Sequence, residues 1–103
     1  MNLTDMMKQV QKVQEQMSRI QEDLSGKRVQ AEAGGGMVTA VADGRQEIVS
    51  ITISPECIAL NDVAMLQDLI TAAVNEALAS SKKMFQDEVG KITGGIRIPG
   101  ITL

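Results

Sequence analysis

Few residues in this sequence could do chemistry. The 103-residue chain has no histidine and one cysteine, besides 13 acidic and 10 basic side chains. Without histidine, neither a Ser-His-Asp triad nor a Cys-His pair can be assembled. Cys57 lies between Glu56 and Ile58, so no cation beside it in the sequence would stabilise a thiolate. We therefore predict that Cys57 is a small packed thiol and that the protein is not an enzyme.

Three consecutive glycines, residues 34–36, suggest a phosphate-binding loop. Such a loop must lead into a helix whose first amide groups bind the phosphate. Here a strand-like segment follows instead, so we interpret the glycines as a hairpin turn or bulge. Metal sites built from His and Cys are also excluded by composition. The acidic pairs Glu22-Asp23 and Asp87-Glu88 are predicted to face solvent, and we expect no cofactor, metal or small-molecule substrate.

Positive charge is the remaining feature that could bind a partner. The net charge of -3 argues against a uniformly basic nucleic-acid binder. Near the start of the chain, however, Lys12 and Arg19 are seven residues apart on one helical face, and Lys8 lies one turn earlier. DNA phosphates require cations spaced along one surface in this way. The alternative is a solvated face, because Glu15 can pair with either Lys12 or Arg19.

These cations lie on a predicted helix, Leu3 to Leu24, around which the chain is organised. Its apolar residues recur at alternating steps of three and four: Leu3, Met6, Val10, Val13, Met17, Ile20 and Leu24. This is a heptad seam. Asn2 or Thr4 can cap its start, and Ser25-Gly26 ends it. One interpretation is a helix that faces only its own core. We favour a helix that packs partly on its own domain and partly on a second copy of the chain.

Three strands should follow this helix. They are predicted at Arg28–Ala33, Met37–Ala42 and about Gln46–Ser54. The Asp43-Gly44 pair is a strong hairpin signal. In the third strand, Val49, Ile51 and Ile53 alternate with polar residues and should share one face. The links between the strands are too short for parallel crossovers, so we predict an antiparallel meander.

A second long helix is predicted from about Val63 to Val89, after an irregular link from Pro55 to Asn61. Asn61 or Asp62 can cap this helix. Its apolar stripe contains small residues that allow close packing on a sheet. The fold class is therefore α+β, in the order αβββα. A helix of some 27 residues spans roughly 40 Å, whereas such strands span only about 20–30 Å. Both helices are therefore longer than the sheet requires. This surplus predicts a homodimer.

Five segments of the chain also stand together as a set: MMKQVQKVQEQM, EAGGGMV, VSITISPE, MLQDLITAAVNEAL and GKITGGIRIPG. In this order and spacing they resemble the YbaB/EbfC family of bacterial nucleoid-associated proteins, over nearly the whole chain. The resemblance implies a tweezer-like homodimer in the cytoplasm, associated with the nucleoid. It also implies binding to DNA with little sequence preference.

The family's DNA contacts are attributed largely to its first and last helices. The basic residues available at those positions are Lys8, Lys12, Arg19, Lys82 and Lys83. With few cations and no aromatic stacking residues, we expect contact with the DNA backbone rather than with bases, and an affinity that falls with salt. The alternative function is a dimeric, non-enzymatic scaffold or adaptor that binds another protein through its helices.

We expect one domain, residues 1–90, followed by a mobile tail, residues 91–103, that contains glycine and proline. A single cysteine suits a reducing cytosol. The first residues are amphipathic and rich in glutamine, unlike a signal peptide. No apolar run approaches the roughly 20 residues that span a bilayer. These features predict a cytoplasmic protein without a membrane partner.

Overall fold

The structure, a computed structural model, describes residues 2–93; for residues 92 and 93 it describes the backbone only. Its elements are α1 (Leu3–Ser25), β1 (Arg28–Ala33), β2 (Val38–Asp43), β3 (Ile48–Ile53), α2 (Pro55–Ala59) and α3 (Val63–Thr93). This order confirms the predicted αβββα fold and adds one short helix, α2. Of the predicted tail, residues 91–93 continue α3, and residues 94–103 lie outside the described residues.

The ends of α1 follow from local hydrogen bonds. Asn2 is the N-cap, since its Oδ1 accepts a hydrogen bond of 2.8 Å from the Asp5 N–H. The Asp5 carboxylate also favours the positive end of the helix dipole. At the other end, the Gly26 N–H donates to the carbonyl oxygen of Asp23 at 3.2 Å. The predicted start and end of this helix are therefore confirmed, with Asn2 rather than Thr4 as the cap.

The sheet is an antiparallel meander with strand order β1-β2-β3, as predicted. All three glycines of residues 34–36 have positive φ, between 64° and 93°, in the turn that joins β1 to β2. Residues with a Cβ rarely adopt such angles, and this accounts for the glycines. Ala31 of β1 lies opposite Ala40 of β2, which lies opposite Ile51 of β3. Small residues thus line the middle of β1 and β2.

The third strand is shorter than predicted and contains a bulge. Val41 pairs with Ser50, whereas Ala42 pairs with Ile48, so Val49 is an extra residue. Ile48, rather than Val49, therefore takes the place opposite Ala42 and packs against the core. The side chain of Val49 is exposed. Simple alternation could not reveal this shift, because a bulge offsets the face assignment by one residue.

The predicted irregular link after β3 contains the short helix α2. Ser54 caps it by accepting a hydrogen bond from the Cys57 N–H at 3.3 Å, and Pro55 occupies its first turn. Cys57 is buried, which confirms the packed thiol. Asp62 then caps α3, since its Oδ1 accepts from the Met65 N–H at 3.0 Å, whereas Asn61 is in the turn with φ 50°.

The core lies between the sheet and the first half of α3. Its fully buried members are small: Val38, Ala40, Ala42, Ala73 and Ala77. Alanines on both surfaces allow the helix to approach the strands closely, as the sequence predicted. The helix packs on β1 and β2 and contacts β3 much less. The apolar face of β3 is therefore left partly open, with Ile51 exposed.

The long helices give the chain an elongated shape. Its extents are 67 × 22 × 17 Å, and its radius of gyration is 18.8 Å. A compact domain of this length would have a radius of gyration of about 13 Å. Ile20 and Leu24 of α1 are buried, but every residue from Asn2 to Glu15 is exposed. The amino-terminal half of α1 therefore projects from the rest of the molecule.

Candidate nucleic-acid interface

The three predicted cations of α1 are all exposed. At 3.6 residues per turn, Lys8, Lys12 and Arg19 all lie on the side of the helix away from the apolar seam. A partner that covered the seam would therefore leave Lys8 and Lys12 in solvent. The seam and most of the cationic side of α1 can act independently.

Acidic residues share this side of α1, but none of them neutralises the cations by direct contact. Among residues 2–93, the only ion pairs join Glu88 to Lys27 and to Lys91. The alternative pairing of Glu15 with Lys12 or Arg19 is thus not formed in the structure. The α1 cations remain available to an external anion.

Lys82 and Lys83 are exposed near the middle of α3. They follow Ser81, whose hydroxyl contacts the turn between β2 and β3. The Leu24 carbonyl oxygen also contacts this turn, accepting a hydrogen bond of 2.9 Å from the Gly44 N–H. About 24 Å of helix separates Lys8 from Leu24, at 1.5 Å rise per residue. The five predicted residues are therefore not gathered in one pocket but are distributed along the molecule.

Two further cations are locally neutralised. Glu88 accepts hydrogen bonds from Lys91 at 3.1 Å and from Lys27 at 3.5 Å. The Lys91 hydrogen bond is the main reason that the pKa of Glu88 is lowered, with smaller contributions from the charges of Lys27 and Lys91 against an opposing effect of burial. Through Lys27, this cluster ties the α1–β1 connection to α3.

The Glu88 cluster gives a prediction for pH dependence. Since its pKa is lower in the folded chain, ionised Glu88 stabilises the fold above its unfolded pKa, and this contribution is lost as the pH falls through the folded pKa. We expect the stability of the parent and of Glu88→Gln to converge as the pH falls below 4.5, the ordinary value for this carboxyl. Urea unfolding at several pH values measures this. Glu15→Gln, which removes an unpaired carboxylate, is the control. A Glu88→Gln difference that does not change with pH would contradict the prediction.

Other kinds of site find no support in the part of the chain that the structure describes. Residues 2–93 hold no group of three or more His, Cys, Asp or Glu side chains placed to bind a metal ion. Their helices also lack a stretch apolar enough to cross a bilayer. The exposed surface of α1 presents two features, the cations and the apolar seam.

The amino-acid sequence is similar to those of known proteins. Residues 1–96 match the YbaB/EbfC DNA-binding family. The chain belongs to this family. The match covers the whole of the described structure and confirms the resemblance found in the sequence. YbaB/EbfC proteins are a DNA-binding family and not a family of enzymes.

Individual relatives agree with the assignment. A nucleoid-associated protein of Pelotomaculum thermopropionicum is 54% identical over 100 residues, covering 97% of this chain and 95% of the relative. One from Moorella thermoacetica is 56% identical over 99 residues, covering 96% and 95%. The crystal structure of uncharacterized protein HP0035 from Helicobacter pylori superposes with a TM-score of 0.83, at 19% identity, over 91% of this chain and 99% of that one. This last similarity establishes the fold alone.

The predicted cations are spread along this YbaB/EbfC protein. The five predicted contact residues extend along α1 and onto α3 over a distance of about 25 Å. Duplex DNA carries one negative charge per roughly 1.7 Å of axis, so such an extended set can meet several phosphates at once. The assignment of these residues as DNA contacts remains a prediction.

Proposed function

We propose that this YbaB/EbfC protein is a nucleoid-associated protein that binds duplex DNA as a homodimer, mainly through backbone contacts and with low sequence specificity. The observation that carries the proposal is the division of α1 into an exposed apolar seam and a separate side with unpaired cations. One side suits a second copy of the chain, and the other suits phosphates. Bound dimers would take part in nucleoid organisation and gene regulation.

The exposed apolar seam supports the homodimer. Leu3 is 72% exposed, and it forms a shallow apolar groove with Met6, Met7 and Val10. Contiguous exposed apolar surface of this kind marks an interaction site, because its removal from water is favourable. The heptad spacing of the seam fits another helix. A second copy presents the same seam, and a twofold axis would bring the two together.

Dimerisation would also arrange the cations. Lys8 and Lys12 lie away from the seam, so they would stay exposed in a dimer that buried it. A twofold axis would double each cationic surface and hold the two at a fixed separation. Such a pair can contact the DNA backbone at two places, which supports a clamp or bridge on duplex DNA.

Backbone contact also accounts for the expected low specificity. Phosphate contacts fix the position of a protein on DNA but carry no direct sequence information. The one aromatic residue, Phe85, is partly buried in α3, so it offers little surface for stacking on bases. Lysines dominate the predicted contact set, and they act on phosphates as point charges.

Replacing Lys8, Lys12 and Arg19 together with Ala should weaken binding to duplex DNA. The dimer would lose six cations, so the slope of log affinity against log salt should become shallower by up to about 5. Fluorescence anisotropy with a labelled duplex, titrated at several salt concentrations, measures this slope. The matched control replaces three exposed neutral residues of the same helix, Gln9, Gln14 and Gln21, with Ala. An unchanged slope in the triple cation variant would show that these charges are merely solvated.

The exposed seam also supports a second candidate, a dimeric scaffold or adaptor that binds another protein through its helices. The same titration separates the two functions. A DNA-binding protein must lose affinity steeply as salt rises, because cations on DNA are displaced by the protein and released. A scaffold without DNA affinity would give no anisotropy change even at low salt.

A further inference from the structure

The turn between β2 and β3 is held in place by both long helices. Ser81 of α3 is fully buried, and its hydroxyl donates a hydrogen bond of 2.6 Å to the Asp43 carbonyl oxygen. The Ser81 hydroxyl oxygen in turn accepts a hydrogen bond from the Gln46 N–H at 2.8 Å. Gln46 has φ 64°, a conformation that non-glycine residues seldom adopt. The buried hydroxyl therefore fixes an unusual turn backbone at two points.

Contacts within the turn and with α1 complete its attachment. The Asp43 carboxylate accepts hydrogen bonds from the N–H groups of Arg45 at 2.8 Å and Glu47 at 3.1 Å. Gly44 is buried against the end of α1, where an added Cβ would lie 2.7 Å from the Leu24 carbonyl oxygen and Cβ. That contact, rather than a positive φ, explains the glycine. The turn is thus rigidly attached, although it is a surface loop.

Arg45 projects from this rigid turn. It is exposed, and its guanidinium makes no hydrogen bond or ion pair with any residue in the described range 2–93. Arg28, by contrast, donates from its guanidinium to the carbonyl oxygens of Ser25 at 2.8 Å and Lys27 at 2.9 Å. The two arginines lie near the same end of the sheet but differ in their contacts. The Arg28 guanidinium is hydrogen-bonded to the protein backbone, whereas the Arg45 guanidinium is available to an external anion.

The Ser81 hydroxyl also joins the segment that contains Arg45 to α3. Gln46 and Ser81 are joined by a hydrogen bond, and their chain neighbours Arg45 and Lys82 are both exposed. The turn thus brings an arginine close to a lysine that is 37 residues away in sequence. Exposed cations on two adjoining segments can both contribute to binding a duplex, whose phosphate charges are closely spaced. A planar guanidinium binds a phosphate through two parallel hydrogen bonds.

We propose that Arg45, presented by the β2–β3 turn beside Lys82, is a phosphate-binding residue for duplex DNA. This inference rests on the proposed function and extends its contact surface from the helices to the end of the sheet. The Asp43 carboxylate accepts hydrogen bonds from backbone N–H groups of the turn and forms no ion pair with the Arg45 guanidinium. Glu47 is the nearest exposed acid in sequence, and its charge opposes the binding of phosphate.

The test compares three variants in the same salt-dependent anisotropy titration with a labelled duplex. Arg45→Gln should lower the affinity about threefold to tenfold at low salt and make the salt slope shallower by about one per chain. Arg28→Gln removes the same charge from an arginine that is already committed to the backbone, and it should change the affinity less. Glu47→Gln removes the opposing charge and should raise the affinity. Thermal unfolding of each variant checks that the fold is kept.

The outcomes separate this inference from the proposed function. If the parent binds DNA and Arg45→Gln binds with the same affinity and salt slope, Arg45 is not a contact and the inference is overturned. Equal losses for Arg45→Gln and Arg28→Gln would reveal a general effect of net charge and overturn it as well. If the parent itself fails to bind duplex DNA at low salt, the proposed function fails, and the inference fails with it.

Discussion

Replacing Leu24 with Ala is expected to destabilise the folded chain by about 2–5 kcal/mol. Leu24 is 1% exposed and is the largest fully buried side chain among the described residues. It lies at the end of α1, where its backbone and side chain contact Gly44 of the β2–β3 turn. Truncation would leave a cavity at the junction of α1 with the turn, and the rigid turn would not collapse to fill it.

Urea unfolding followed by circular dichroism measures this loss, and the melting temperature should fall by about 10 °C or more. Leu60→Ala is the matched control, since it makes the same chemical change at an exposed position. It should cost no more than about 0.5 kcal/mol. Equal effects for the two variants would mean that Leu24 does not hold α1 against the turn.

Val13→Asp is expected to convert the proposed dimer into monomers. Val13 is in the middle of the seam and is 41% exposed in the single chain. An isolated chain would therefore tolerate a carboxylate there with little loss. In a dimer that buries the seam, each copy would place an unpaired charge in the interface, at a cost of several kcal/mol per charge.

Sedimentation or light scattering at micromolar concentration distinguishes the two states. The parent should have twice the 11.0 kDa mass of the chain, and Val13→Asp should have the mass of one chain. Ser18→Asp adds the same charge to an exposed site away from the seam and should stay dimeric. A monomeric parent, or a Val13→Asp variant that remains dimeric, would refute an interface built on this seam.

Local sequence signals predicted most of the fold. The heptad spacing and the Asn2 and Gly26 caps gave the limits of α1, because helix ends depend on hydrogen bonds within a few residues. The residue pattern gave the limits of β1, and the three glycines marked a turn whose φ angles are positive. Family motifs along the chain pointed to the DNA-binding family that the comparison then confirmed.

The predictions from the sequence differed from the structure mainly where residues distant in the chain interact. The bulge at Val49 depends on how β3 pairs with β2, which alternation along one strand does not record. The short helix α2 was missed because five residues carry too little periodicity to be recognised. Arg45 was not among the predicted contact residues, since nothing beside it in the sequence indicates that Ser81 brings it near Lys82.

The amino-acid sequence by itself determined the elements, their order and the apolar seam of α1, because each depends on spacing and on the neighbours of a residue along the chain. Only the tertiary structure decided how far that seam is covered: Leu24 is buried under the β2–β3 turn, whereas Leu3 projects into solvent. The same heptad positions have opposite environments, because burial depends on which elements reach them in space. Periodicity shows which residues of a helix form an apolar stripe, but it does not show which other element packs against that stripe.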